Sequence, residues 1–290
     1  MSGLPDSYFG PGNSFTEFVG RAAPELLAPP GRLGGYGDGG IGRLGEPGAR
    51  DGVGEPATAT TIVALTYKDG LIMAGDRRAT VGHQIASRDI EKVYPADAWT
   101  AIGIAGVAGL SLQLVRLFQL ELEHYEKIEG VALSLSGKAH RLATMVRSQL
   151  ELAMKGLTVV PLLGGWDGAA PRVFAFDVTG GAYEERGYAA IGSGAVFAKG
   201  SMKKLHRPAA TARTAIRTAL TALNDAADDD SATVGVDQAR DIYPVVARVD
   251  ARGYHRVPDQ ELARALFSRG GPAKAPPELE TPSRPKGRRP

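Results

Sequence analysis

The sequence contains no cysteine. This absence excludes a cysteine nucleophile, a disulfide framework and any thiolate metal site, and it is compatible with a reducing cytosol. No stretch approaches about 18 uninterrupted apolar residues, so no membrane span is expected. The opening residues 1–6 lack the basic start and apolar centre of a secretory signal.

The net charge, the spacing of the histidines and the absence of a serine-hydrolase motif argue against further classes of protein. The net charge is only +2, which predicts no broad basic field for nucleic acid. The five histidines are scattered, without a metal-ligand spacing such as His-Glu-x-x-His. No Gly-x-Ser-x-Gly elbow of a serine hydrolase occurs. The run Gly192-Ser193-Gly194 matches a dinucleotide-binding glycine loop only in part, because the third glycine of that motif is absent.

By composition, the chain divides into three parts. Residues 1–59 are rich in glycine and proline and lack an apolar period, apart from a possible short amphipathic helix over 15–27. We interpret this part as a largely disordered propeptide. Residues 60–270 carry the pattern of one folded domain, and the proline-rich residues 271–290 are typical of a disordered tail.

The folded part begins with β-rich runs and then alternates between helices and strands. Strands are predicted at 60–67, 71–74, 84–87, 100–104, 159–163, 173–177, 182–188 and 243–249. Helices are predicted at 109–128, 133–152, 194–205, 209–227 and 260–267. This order suits an α/β fold in which two antiparallel sheets are covered by helices on both outer faces.

Three residues near the start of this domain stand out for their chemistry: Thr60, Asp76 and Lys92. Taken singly, each has an ordinary explanation, as a strand former, a turn residue and a solvated lysine. A threonine hydroxyl becomes a good nucleophile when a base lies beside it, and cutting the chain before the threonine frees an α-amine that can serve as that base. Small residues, including Ala59, surround this junction.

The sequence Thr60-Thr61-Ile62-Val63-Ala64, followed by Gly75-Asp76-Arg77-Arg78 and Lys92-Val93, resembles a proteasome β-subunit of the actinobacterial type. That family belongs to the N-terminal nucleophile hydrolases. Three further elements of the chain are similar to family motifs over about residues 60–250: Gly103-Ile104-Ala105-Gly106, Ile191-Gly192-Ser193-Gly194 and Asp228-Asp229-Asp230-Ser231. The resemblance implies a four-layer α/β/β/α sandwich and a threonine endopeptidase.

The resemblance also implies a role for each site residue. Thr60 supplies the Oγ nucleophile after autocatalytic cleavage of the Ala59–Thr60 bond, and Lys92, oriented by Asp76, supplies a positive charge. Gly106 offers its backbone N–H to the oxyanion. The residues expected to surround the threonine amine are Ser193, Asp228 and Ser231. The residues expected to form the substrate pocket are Ala79, Thr80, Ile90, Ile104 and Ala108. No cofactor and no metal are implied.

The partners are likewise implied by the resemblance. They are proteasome α-subunit rings, other β-subunits in seven-membered rings, an ATP-dependent ring activator, and protein substrates carrying a ubiquitin-like tag. Two β rings would lie between two α rings in the cytoplasm, without nucleic acid or membrane.

Two alternatives within the same family remain. A ring subunit that only scaffolds typically lacks the threonine, aspartate or lysine, whereas this chain keeps all three. A smaller two-ring bacterial threonine peptidase usually lacks a long leader and has Gly-Asp-Gly-Gln where this chain has Gly75-Asp76-Arg77-Arg78. The chain departs from the family pattern at Ala59, where glycine is frequent, and at Ala232-Thr233, where a glycine is common.

Overall fold

The structure, a computed structural model, describes residues 60–81 and 84–267. In chain order the strands are β1 (Thr61–Tyr67), β2 (Gly70–Gly75), β3 (Ala79–Val81), β4 (Gln84–Ser87), β5 (Val93–Asp97), β6 (Thr100–Gly106), β7 (Val159–Trp166), β8 (Pro171–Phe176), β9 (Ala182–Glu185), β10 (Tyr188–Gly192), β11 (Val245–Asp250) and β12 (Gly253–Arg256). The helices are α1 (Ala108–Glu129), α2 (Leu135–Arg147), α3 (Leu150–Met154), α4 (Ala195–Leu205), α5 (Ala212–Asp229) and α6 (Asp259–Phe267). The predicted propeptide, its 15–27 helix and the 271–290 tail lie outside the described residues.

Two five-stranded antiparallel sheets form the centre of the molecule. The first sheet has the order β10-β1-β2-β11-β12, and the second has the order β5-β6-β7-β8-β9. Strands β3 and β4 form a separate small hairpin. The β1–β2 connection is a tight turn in which Tyr67 pairs with Gly70, as the sequence predicts.

Both faces of the first sheet are buried, because successive side chains of a strand point to opposite sides. In β1, Ile62 and Ala64 face the second sheet, whereas Val63 and Leu65 pack with α4, α5 and α6. This double burial explains why β1 is an almost continuous apolar run instead of an alternating one.

The second sheet is covered on its outer face by α1 and α2. Ile102 and Phe174 from the strands pack there against Phe118 and Leu142 from the helices. The four layers are therefore helices, sheet, sheet and helices, which confirms the predicted α/β/β/α sandwich. Among the described residues, no helix combines the length and the apolar composition that crossing a membrane requires.

Strand β5 does not appear in the sequence prediction. It contains Pro95, which cannot donate to a strand ladder and normally argues against a strand. Here β5 lies at the edge of the second sheet and pairs only with β6, so the missing donor leaves no partner unsatisfied. The short edge strand β12 is also missing from the prediction.

Two predicted elements are each divided in the structure. The helix predicted over 133–152 ends at Arg147 and resumes at Leu150, because the buried stripe of α2 stops at Val146 and α3 buries no side chain. The strand predicted over 182–188 is divided at Gly187, whose φ of 87° lets the chain pass from the second sheet to the first.

Candidate active site

Thr60 lies immediately before β1, at a point where three chain segments meet. Because β1 runs antiparallel to both β2 and β10, its start lies beside the ends of those two strands. The Thr60 carbonyl accepts a hydrogen bond from the Ser193 N–H at 2.9 Å. Gly192 has a φ of 96°, and a Cβ there would lie 1.8 Å from the Thr60 carbonyl oxygen. The backbone of Thr60 is therefore held by a contact that only glycine permits.

Asp76 follows the last residue of β2 and is completely buried. Its Oδ1 accepts from the Lys92 Nζ at 2.7 Å and from the Thr61 N–H at 2.8 Å. Its Oδ2 accepts from the Arg78 N–H at 3.0 Å. Each carboxylate oxygen is thus satisfied, and one of them links Lys92 directly to the backbone beside Thr60.

Lys92 reaches this carboxylate from the residue before β5. Its Nζ also donates to the Arg78 carbonyl at 2.5 Å, and only 6% of its side chain is exposed. Burial lowers the pKa of Lys92, while the negative charge of Asp76 acts in the opposite direction. Burial likewise raises the pKa of Asp76 against the effect of Lys92. Lys92 and Asp76 thus form an ion pair shielded from water, in which each charge is the main compensation for the hydration that the other loses on burial.

A second acidic group approaches Thr60 from the loop after α5. The Asp230 Oδ2 accepts from the Ser193 Oγ at 2.6 Å and from the Thr233 Oγ1 at 2.6 Å. The Ser193 Oγ lies 3.4 Å from the Thr60 carbonyl oxygen. The negative charge of Asp230 also acts to raise the pKa of Lys92, which indicates that both acidic groups influence one lysine.

This arrangement corrects the assignment of Asp228 and Ser231. Asp228 is exposed on the last turn of α5, and Ser231 contributes its backbone carbonyl to Arg78 instead of a hydroxyl to Ser193. An Asp-x-x-Ser/Thr spacing occurs twice in this stretch, two residues apart. The structure brings the second occurrence, Asp230 and Thr233, to Ser193.

Gly106 is the last residue of β6 and lies close to the start of α1. Its φ is 126°, and a Cβ there would lie 2.1 Å from the Thr158 carbonyl oxygen. The glycine is thus required by the close packing of the end of β6 on the segment just before β7, independently of any role of its N–H. Among the described residues, no group of three or more His, Asp or Glu is placed to hold a metal ion.

Comparison with known proteins identifies the family of the chain. A sequence model of the family described as "Proteasome subunit" matches residues 57–238. The chain belongs to the proteasome subunit family. A "Proteasome subunit beta" of Jonesia denitrificans is 51% identical over 270 residues, which cover 91% of this chain and 83% of the relative. A "Proteasome subunit beta" of Acidothermus cellulolyticus is 50% identical over 284 residues, covering 93% of both chains.

In this proteasome-family domain, the five expected pocket residues come from β3, the β4–β5 connection, β6 and the start of α1. Ala79 is buried, and Thr80, Ile90 and Ala108 are half-buried. Ile104 is 4% exposed and packs into the cluster between the second sheet and the helices. Ala59, the other residue of the expected processing site, lies outside the described residues.

Three residues that the sequence analysis quoted within its motifs, but to which it gave no role in the site, contact the residues around Thr60 in this proteasome-family chain: Arg78, Asp230 and Thr233. The Arg78 guanidinium donates to the carbonyls of Ser231 at 2.7 Å and of Thr233 at 3.2 Å. It thereby ties the segment after β2 to the loop after α5. The repeated Asp-x-x-Ser/Thr spacing was the available signal for Asp230 and Thr233, but it does not by itself choose between the two registers.

Proposed function

We propose that the chain is a catalytic β-subunit of a 20S-type proteasome, and that it acts as a self-processing threonine endopeptidase with Thr60 as nucleophile. One observation supports this most directly. The buried Asp76–Lys92 ion pair is hydrogen-bonded to the N–H of Thr61, the residue next to the proposed nucleophile. A buried, compensated charge pair at the end of a strand is a common way to prepare a reactive group.

The proposed reaction begins with self-cleavage. The Thr60 Oγ attacks the Ala59 carbonyl carbon, and the C–N bond between the two residues breaks as the nitrogen takes up a proton. Water then hydrolyses the resulting ester, which frees the Ala59 carboxylate and the Thr60 α-amine. Residues 1–59 leave as the propeptide.

The freed amine then serves as the general base for substrate cleavage. Its reference pKa is about 7.7–8.0, which suits proton transfer near neutral pH. It accepts the Oγ proton as Oγ attacks the substrate carbonyl, and that proton leaves with the amine product when the intermediate collapses. Water hydrolyses the remaining acyl ester and restores Thr60.

The surrounding groups have electrostatic and positioning roles in this proposal. The Lys92 ammonium stabilises the developing alkoxide of Thr60 and disfavours protonation of the nearby amine. Asp76 orients Lys92. The Gly106 N–H is assigned to the oxyanion of the tetrahedral intermediate. Ser193, with Asp230 in place of Asp228 and Thr233 in place of Ser231, positions the amine.

The proposed assembly rests on the names of the two relatives and on the family resemblance. The chain would form seven-membered β rings stacked between α-subunit rings in the cytoplasm. An ATP-dependent ring would feed unfolded proteins, marked by a ubiquitin-like tag, to the enclosed sites. The aliphatic side chains of Ile90 and Ile104 favour apolar residues on the acyl side of the cut bond.

The deciding experiment is Thr60→Ala in the full-length chain co-expressed with an α-subunit, followed by intact-mass measurement. The variant is expected to keep residues 1–59 and to have no peptidase activity. Thr58→Ala is the matched control and is expected to mature to a chain that begins at Thr60. Cleavage directly after Ala59 in a purified Thr60→Ala chain would overturn the proposed self-cleavage.

A further inference from the structure

The tandem threonine of the sequence leaves Thr61 without a role in the reaction described above. Its hydroxyl is nevertheless part of a buried chain of hydrogen bonds. The Gly194 N–H donates to the Thr61 Oγ1 at 2.9 Å, and the Thr61 and Thr233 hydroxyl oxygens lie 2.6 Å apart. The side chains of Thr61 and Thr233 are almost completely buried. No bulk water is therefore available to replace these bonds.

The donor direction of each bond follows from the groups at the two ends. The Gly194 N–H can only donate, so the Thr61 oxygen accepts it. The Asp230 carboxylate can only accept, so the single hydroxyl proton of Thr233 is committed to it. The Thr61 hydroxyl therefore donates its proton to the Thr233 hydroxyl oxygen. All bonds run the same way, from Gly194 through Thr61 and Thr233 to Asp230, and each strengthens the next.

Thr61 also connects the two acidic groups of the site. Its backbone N–H donates to Asp76, the partner of Lys92, while its hydroxyl leads to Asp230, the partner of Ser193. A valine would satisfy the strand and core requirements here equally well, as Ile62 and Val63 do in the next positions. The feature specific to threonine is the hydroxyl.

The geometry points to Thr61 as a positioning residue, whose hydroxyl fixes Thr233 and thereby holds the Asp230–Ser193 pair against Thr60. This inference rests on the proposed function, because it concerns the rate of the reaction at Thr60. It assigns no chemical step to Thr61, and the cut stays at the Ala59–Thr60 bond in every Thr61 variant.

The test compares Thr61→Val, which removes the hydroxyl, with Thr61→Ser, which keeps it. The kcat of each variant is measured with a fluorogenic peptide ending in leucine, in particles assembled with α-subunits. It is expressed per chain that begins at Thr60, and intact mass gives the fraction of such chains. Thr61→Val is expected to lower kcat about 10-fold, as for the loss of one buried hydrogen bond, with KM changed less than about 2-fold. Thr61→Ser is expected to retain kcat to within about 2-fold.

Thr66→Val is the matched control, because Thr66 lies in the same strand and donates its hydroxyl to the Gly187 carbonyl, away from the site. It is expected to leave kcat unchanged. If Thr61→Val yields no particles, Thr61→Cys fills the same space with a weaker donor and is expected to lower kcat several-fold. A wild-type kcat in the hydroxyl-free or thiol variant would overturn the inference.

A double variant separates positioning from general stability. In Thr233→Val the hydroxyl that Thr61 contacts is gone, so the Thr61 hydroxyl can no longer influence Asp230. The double variant Thr61→Val/Thr233→Val is therefore expected to have the same kcat as Thr233→Val alone. Fully additive losses would contradict the proposed chain. Residual activity in Thr60→Ala would instead refute the proposed function. An inactive Thr60→Ala beside a fully active Thr61→Val would refute only the role of Thr61.

Discussion

Removing one partner of the Asp76–Lys92 pair is expected to destabilise the fold strongly, whereas removing both charges is expected to restore part of the stability. Asp76 is completely buried and Lys92 nearly so, which means that a lone survivor would be an uncompensated charge in the interior. Such a change costs roughly 3–5 kcal/mol of unfolding free energy.

The structure ranks the variants within that range. In Lys92→Met, the Asp76 carboxylate keeps the N–H donors of Thr61 and Arg78, so we expect a loss near 3 kcal/mol. In Asp76→Asn, the lysine loses its carboxylate and the new amide nitrogen faces the Arg78 N–H, so we expect a loss near 5 kcal/mol. The double variant leaves no buried charge, and its remaining defect is the donor facing Arg78, worth about 1–3 kcal/mol.

Urea unfolding of the full-length chain, followed by far-UV circular dichroism, measures these differences. With a slope of about 2 kcal/mol per M, a loss of 3 kcal/mol moves the midpoint down by about 1.5 M. Lys127→Met is the control, because Lys127 forms an exposed pair with Glu123, and its loss should leave the urea midpoint almost unchanged. The peptidase activity of each variant is measured in assembled particles.

Activity is expected to respond differently from stability. All three variants lose roughly 10²–10³ in rate, because the positive charge or its orientation beside Thr60 is gone. A double variant less stable than both single variants would refute the compensated-pair reasoning. A double variant that regains activity together with stability would show that Lys92 has only a structural role.

Three further predictions follow from the geometry. Gly192→Ala places a Cβ against the Thr60 carbonyl and is expected to abolish processing, whereas Gly168→Ala has almost the same φ of 98° but open space around it and should mature normally by intact mass. Asp177 has a pKa lowered to about 2, mainly by the hydroxyl of a neighbouring threonine, so its contribution is present above pH 3.8 and lost as pH falls through about 2. Asp177→Asn should therefore flatten the dependence of the urea midpoint on pH between 4 and 2, and an unchanged slope would contradict this. Peptides ending in tyrosine or leucine should be cut about 10–100-fold faster than those ending in arginine or glutamate, because the buried Ile104 offers no partner for charge; the opposite order of kcat/KM would exclude this pocket.

Part of the site was open to prediction from local sequence alone. Thr60 and Asp76 stand next to the ends of β1 and β2, two strands that are recognisable from their apolar runs, whereas Lys92 stands beside β5, which the strand prediction did not contain. The spacing of these residues, set beside the family motif, was enough to propose that they share one site. The buried contacts of Asp76 with Lys92 agree with that proposal.

The register of the loop after α5 was not predictable in this way. Asp228 and Asp230 are both followed three residues later by a hydroxyl residue, and both suit the end of a helix. The choice depends on which carboxylate the returning loop carries to Ser193, a contact between residues 37 positions apart. Local preferences contain no information about that approach.

The sequence by itself therefore determined the fold class and the family, through apolar periodicity and the family motifs, and the two strand ends beside Thr60 and Asp76, because apolar periodicity and turn residues act over a few neighbouring positions. Only the tertiary structure decided that Pro95 lies in an edge strand, that Asp230 and Thr233 complete the site, and that Thr61 links the two acidic groups. Those features depend on which distant segments meet and which polar groups they leave without water, and only the packed chain specifies either.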